Sequence, residues 1–380
     1  MKMMVQYHDD KIIDGCGLAG ILSKEGKLIE GKYPIKMINS MKVRGNGLGA
    51  GFAVYGIFPK YSDKYAVQVM TTDETNLTNV ESYLAKNATI VADEKIPINK
   101  VSEITNPPIL WRFFLETPDK NMQKTEEDNY IISLVMHINE NIGDAFVLSS
   151  GKNMGVFKAV GHPDEVAAFY RLEEYKGYLW LAHTRFPTNT PGWWGGAHPF
   201  NILDWSVIHN GEISSYGTNK RYLEMYGYKC TLLTDTEVVA YLFDLLVRRH
   251  KLPLSLACEA LAPRFWSQIE REPSLQKKRI LKSIRITYGS ALLNGPFSIL
   301  VANNTTLLGL NDRIKLRPLI VGVKEDRVYM SSEEQAIRSI EKNPEDVWAP
   351  KAGHPIIVKL EEDAIERHKS DVMSEIPQKM

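Results

Sequence analysis

Cysteine is scarce in this chain: Cys16, Cys230 and Cys258 are the only three in 380 residues. They stand too far apart for a disulfide framework or a closed zinc site, and are too few to ligate an iron–sulfur cluster. Net charge is missing as well. The 46 Lys and Arg balance the 46 Asp and Glu, which removes the main electrostatic reason to expect nucleic acid or an anionic membrane as partner. No run of about 18 apolar residues occurs, so no segment reads as a membrane span. The opening residues 1–15, MKMMVQYHDDKIIDG, carry charges where a secretory leader needs its apolar stretch. Repeats, low-complexity tracts and long linkers are lacking too. What remains is a composition of 44% hydrophobic and 24% charged residues, ordinary for a globular protein. The expectation is a cytoplasmic protein of one large or two medium domains.

Short, β-prone apolar runs bounded by turn residues are frequent: 16–23, 51–58, 65–71, 144–150, 154–160, 178–185 and 205–210. A second strand-rich block covers 297–332. Its runs are joined at Asn303-Asn304 and near Glu325-Asp326 by links so short that they predict antiparallel hairpins. Helical periodicity lies between the blocks. Residues 236–251 place Val238, Leu242, Leu245 and Leu246 on one face, and 255–271 and 275–286 read as helical too. The polar stretch 115–129 reads as a surface excursion. Strands toward both ends with helices bunched between them predict an α+β fold with antiparallel sheets.

Several small constellations carry chemical content. Cys16 lies among small residues, Gly15, Gly17 and Ala19. Taken alone it reads first as a buried cysteine behaving as a small hydrophobe. The alternative is a nucleophile exposed by cleavage after Gly15, whose new α-amine would accept the thiol proton. Arg185, at the end of a strand run, offers a bidentate fork for a carboxylate, or for a structural ion pair. Asn210 and Gly211 can supply a side-chain amide and an unobstructed backbone N–H, the two donors of an oxyanion hole, or form a plain Asn-Gly turn. Thr234 with Glu237 fits a capping box at the start of the clearest helix. Asp235 between them is favoured there by the helix dipole and could equally hold an α-ammonium group. The glycine-rich stretch 44–51 has the wrong spacing for a dinucleotide loop. His183, His198 and His209 raise the possibility of zinc, although two of them adjoin Arg185 and Asn210.

The order of these motifs resembles the class II glutamine amidotransferases. Cys16-Gly17 comes first, then Arg44-Gly45, His183 through Thr190, His209 through Ile213, Thr234 through Glu237, Gly295 through Ser298, Asp312 through Leu319, and Ser332-Glu333. The run from Arg185 through Ile213 is most similar to the stand-alone amidotransferase subunit of glutamate synthase. The resemblance implies a four-layer αββα N-terminal nucleophile hydrolase sandwich of two antiparallel sheets, spanning 16–365, with a propeptide at 1–15 and a C-terminal tail at 366–380. It implies that Cys16 forms a glutamyl thioester and that Asn210 and Gly211 hold the oxyanion. Arg185 and Thr188 would bind the α-carboxylate of L-glutamine, Asp235 its α-ammonium. Arg44 and His209 would support the site. No cofactor or metal is expected in this chain. FMN and an iron–sulfur cluster are expected on a separate synthase subunit that receives the ammonia. Other readings are the amidotransferase subunit of another synthase, such as N-methylglutamate synthase, an acylase, an uncleaved glutamine-binding regulatory subunit, or a zinc hydrolase. No motif places the insertion between 70 and 145.

Overall fold

Strands that are apolar on both faces need cover on both sides, and that requirement organises this molecule. A computed structural model describes residues 15–187 and 192–362. Seven antiparallel strands form one sheet, in the order Asp346–Trp348, Ile320–Lys324, Arg327–Ser331, Gly17–Ser23, Leu179–Thr184, Ala50–Tyr55 and Met154–Ala159. Five form the second: Phe200–Ile202, Trp205–Gly211, Phe297–Asn303, Thr306–Asn311 and Ile356–Lys359. Leu18, Leu22 and Leu181 of the first sheet share a core with Ile208, Leu300 and Leu307 of the second. The sheets approach closely: a Cβ on Gly20 would lie 3.1 Å from Leu300 Cδ1 and 3.3 Å from Leu307 Cδ1.

Alternate residues of the same strands face outward. Ala19, Ile21, Phe52 and Trp180 pack with Ile38, Val166 and Ile337 from the helices Lys32–Asn39, Pro163–Phe169 and Glu334–Ile340. Val207, Ile299 and Val301 belong to the core of the helices Asp235–Phe243, Leu254–Leu261 and Leu275–Thr287. The result is the four-layer αββα sandwich with two antiparallel sheets that the resemblance implies. Both expected hairpins form, closing at Asn303↔Thr306 and Lys324↔Arg327.

The structure departs from the sequence reading in several places. The segment 236–251 is not one amphipathic helix. An α-helix, Asp235–Phe243, is buried on nearly every side and runs into a π-helix, Asp244–Arg249. Apolar residues all round leave no period to read. The segment 255–271, read as helical, breaks at Ala262-Pro263 into the helices Leu254–Leu261 and Trp266–Glu270, because proline removes a donor and clashes with the preceding turn. The polar stretch 115–129 is a loop only in part, since the 18-residue helix Lys124–Asn141 starts within it.

The unplaced insertion has an architecture of its own. Strand Tyr65–Thr71, helix Glu74–Asn87, strands Thr89–Lys95 and Ile109–Glu116, helix Lys124–Asn141 and strand Ala145–Ser149 follow one another. The four strands form a separate antiparallel sheet with the first and third central, the split βαβ arrangement. It leaves and re-enters the sandwich at one point, where Tyr55 faces Met154 and Gly56 N–H donates to Asn153 O at 2.8 Å.

Candidate active site

Strand ends converge on a cavity of about 480 Å³ lined by Cys16, Arg185, His209, Gly211, Asp235 and Pro296, among others, a size usual for small-molecule sites. Sheet register places these residues. Gly17 pairs with Thr184, so Cys16 and Arg185 leave their strands side by side. Gly211 pairs with Phe297. Asp235 opens its helix, whose N-cap Thr234 accepts from Glu237 N–H at 3.2 Å. The capping box is therefore half made. The Glu237 carboxylate does not turn back to its cap; it accepts from Thr231 N–H, Leu232 N–H and the Tyr241 hydroxyl, holding the loop before the helix.

Cys16 Sγ accepts from Phe186 N–H at 3.3 Å. Burial pushes its thiol pKa up; the Phe186 contact and the charges of Arg185 and Arg317 act in the opposite direction. Its carbonyl accepts from Arg44 Nε at 3.1 Å, and Arg44 pairs with Glu333 at 2.6 Å. The Cys16 nitrogen is still an amide joined to Gly15. A Cβ on Gly15 would sit 3.3 Å from Arg44 Nη2, 3.6 Å from Arg317 Nη1 and 3.6 Å from Asn210 Oδ1. Asn210 is 1% exposed, and neither polar atom of its carboxamide has a partner among the described residues. Gly211 cannot be replaced freely: its φ is +140°, and a Cβ would meet Pro296 O at 1.9 Å.

Two opposite charges share the cavity. Arg185 is 3% exposed; burial lowers its pKa against the pull of Cys16 and Asp235. Asp235 Oδ2 accepts from Ile213 N–H at 3.0 Å, and Oδ1 lies 3.5 Å from His209 Nδ1. Burial alone would raise the Asp235 carboxyl, but His209 and these hydrogen bonds hold it below the usual range. Thr236 is the hub behind it. Its Oγ1 lies 2.8 Å from His198 Nε2, 3.2 Å from His209 Nδ1 and 3.3 Å from Asp235 Oδ1. His183 stacks on His198 at 4.1 Å and bonds His209 O through Nε2 at 2.9 Å. Burial pushes His183 down to about 3 and His198 well down too. The three histidines thus meet, but their nitrogens point to different partners. No cluster of three or more His, Cys, Asp or Glu that could hold a metal occurs among the described residues. Buried Lys158 donates to Gly195 O at 3.0 Å and Pro199 O at 3.2 Å, bracing the segment that carries His198.

The structure therefore gathers Cys16, Arg44, Arg185, His209, Asn210, Gly211 and Asp235 in one place. Thr188 lies outside the described residues, as do positions 1–14 and 363–380. Sequence reasoning gives no role to Thr236, Arg317 or Glu333. All three lie inside segments that carry the resemblance, which was the available signal. Thr236 reaches His198 across 38 positions, and no local pattern announces that. Among the described residues no helix is long and apolar enough to cross a membrane.

Residues 49–232 match the family described as "Glutamine amidotransferases class-II". The chain is 49% identical over 355 residues to an uncharacterized protein of Archaeoglobus fulgidus, covering 92% of this chain and 94% of the relative. It is 28% identical over 331 residues to a Methanothermobacter thermautotrophicus protein named "Putative glutamine amidotransferase", covering 86% and 93%. Among solved structures, the glutamine phosphoribosylpyrophosphate amidotransferase from B. subtilis aligns at TM-score 0.46 and 16% identity over 90% of this chain, which spans 47% of that one. Over residues 49–232 the chain belongs to the class II glutamine amidotransferases.

Proposed function

We propose that this chain is a glutaminase that hydrolyses L-glutamine and passes the ammonia to a separate acceptor synthase of the glutamate synthase type. The observation that carries the reading is the Asn210 carboxamide, buried without a partner among the described residues and close to Gly15, next to a cavity that presents Cys16, Gly211, Arg185 and Asp235. A free amino acid has one carboxylate and one ammonium for those two charges. Its side-chain amide then falls to the thiol.

Removal of residues 1–15 frees the Cys16 α-amine. That amine takes the thiol proton as Sγ attacks the carboxamide carbon. The oxygen that gains the negative charge is held by Asn210 Nδ2 and Gly211 N–H. The amine returns the proton to the departing nitrogen, which leaves as ammonia. Water then cleaves the thioester, releasing glutamate and restoring the thiol. The raised thiol pKa makes a dedicated base necessary, and the uncleaved chain has none at this position.

Intact-mass spectrometry after incubation with a diazoketone analogue of glutamine tests the proposal. Loss of residues 1–15 with a single adduct, absent from Cys16→Ala, is the expected result. A full-length mass with no adduct would overturn it and favour a regulatory glutamine-binding subunit.

A further inference from the structure

Zero net charge hides a strong local imbalance. Between residues 263 and 318 there are ten Lys and Arg against three Asp and Glu, in a chain whose totals are equal. The same stretch holds seven exposed large apolar side chains: Phe265, Trp266, Leu275, Ile280, Ile286, Ile314 and Leu316. Leu275 and Ile286 are more than 70% exposed. Isolated exposed apolar residues need no explanation, but a contiguous patch rimmed by charge marks an interaction surface.

The elements that carry these residues are joined by side-chain contacts. On the helix Leu275–Thr287, Leu281 and Ile284 face the core. Leu275, Arg279, Lys282 and Ile286 recur at i, i+4, i+7 and i+11, one stripe on the opposite side. Arg285 reaches back to the Arg264 carbonyl and lies 4.3 Å from the Trp266 ring. Arg313 lies 4.9 Å from the Phe265 ring. It also donates to Asn294 Oδ1 at 2.9 Å, next to Gly295 and Pro296 of the cavity rim. A smaller cavity of about 140 Å³ opens between Arg264, Arg313, Gln268 and His354. The loop from Asp312 to Pro318 is wound on the Asp312 carboxylate, which accepts from Ile314 N–H and Leu316 N–H at 3.0 and 2.9 Å. It turns Ile314 and Leu316 outward while Arg317 points to Gly15.

We propose that the stripe on Leu275–Thr287 and the loop Asp312–Pro318 together dock an acidic, apolar-centred surface of the acceptor protein, with a partner carboxylate meeting Arg313. This rests on the amidotransferase reading and adds where the partner binds. Charge complementarity fixes the sign of the partner surface. A nucleic acid fits less well. Its bases need open aromatic faces, and here Phe265 and Trp266 are already covered by arginines. The most exposed groups are aliphatic and have no counterpart on a phosphodiester backbone. Docking here also sets the partner at the cavity rim, where ammonia leaves.

The test uses the full chain in its native cells with a photo-crosslinking residue at Leu275, Ile286 or Ile314, and at Val91 as a control far along the sequence in the inserted sheet. Expected is one protein cross-linked from the three patch positions and not from Val91, identified as an amide-nitrogen acceptor synthase. Its affinity, measured with the purified pair, should fall at least about tenfold between low and roughly 0.5 M salt, and about as much in Leu275→Glu/Ile286→Glu. Glutaminase activity of that variant without the partner should equal the parent's. Cross-links to a second copy of the chain, to nucleic acid, to a protein with no acceptor chemistry, or equally from Val91 would overturn the docking surface. An inactive parent chain would instead fault the glutaminase reading, so the two failures are distinguishable.

Discussion

Both polar atoms of the Asn210 carboxamide are buried without a partner among the described residues, and a native fold retains such a group at a cost of about 1–3 kcal/mol. Replacing it relieves that cost and, on the proposed mechanism, removes one oxyanion donor. Asn210→Ala is therefore expected to lower kcat about 10²–10³-fold and to leave the urea unfolding free energy within about 1 kcal/mol of the parent or above it. A purely structural Asn210 gives the reverse pattern, large destabilisation with proportionate activity loss, and parallel kinetics and unfolding on one preparation separate the two. Gly211 predicts the opposite balance. Its φ of +140° and the 1.9 Å approach of a would-be Cβ to Pro296 O leave Gly211→Ala no accommodation short of parting the Gly211↔Phe297 pair. Both stability and kcat should fall, and circular dichroism melting together with glutaminase assay would show it.

Among the elements, the start of the helix Asp235–Phe243 would, on the proposed function, tie stability to substrate binding. Thr234 caps it through Oγ1, and Asp235 is its first residue. Thr234→Val keeps the shape and removes the acceptor. It should cost about 1 kcal/mol and raise KM for glutamine more than it lowers kcat, because Asp235 is displaced while Cys16 is untouched. An unchanged KM would mean that Asp235 is held by Ile213 and His209 alone. The cap was legible in sequence, as were the two hairpins, because those signals depend on residues a few positions apart. The reciprocal half of the box was not, since Glu237 answers to Thr231 and Leu232 instead. The π-helical stretch Asp244–Arg249 was invisible for a related reason: burial on nearly every side removes the period that would reveal a helix. The inserted split βαβ unit escaped because its strand Thr89–Lys95 is largely exposed and charged, and its helix Glu74–Asn87 buries only Leu77, Val80 and Leu84. Strand ends that meet at the site were readable as motifs, but their convergence follows from sheet register, which no short window contains.

Over the whole molecule, buried titratable groups make stability depend on pH in ways that can be pulled apart. His183 and His198 are neutral in the fold, with pKa values driven down by burial, His183 to about 3. Unfolded, each would titrate near 6.5. A depressed folded pKa gives stability that is present above the unfolded value and lost as pH falls toward the folded one. By pH 5 His183 should have withdrawn about 2 kcal/mol, and His198 acts in the same direction. Glu237 acts with the opposite sign. Burial raises it to about 7, so it favours the fold below its unfolded pKa and loses that contribution as pH rises through 7, offsetting about one histidine over the same interval. Lys158, lowered by burial to about 7, changes stability chiefly at higher pH. Asp235, held low, acts only in stronger acid. His183→Gln keeps an Nε2 donor for His209 O but does not titrate, so between pH 7.5 and pH 5 it should lose about 2 kcal/mol less stability than the parent. The stacking on His198 that the variant forfeits lowers stability equally at both pH values and cancels in the difference. Urea unfolding of both proteins at the two pH values measures it directly, and an equal pH dependence in the two would show that His183 carries a proton in the folded protein.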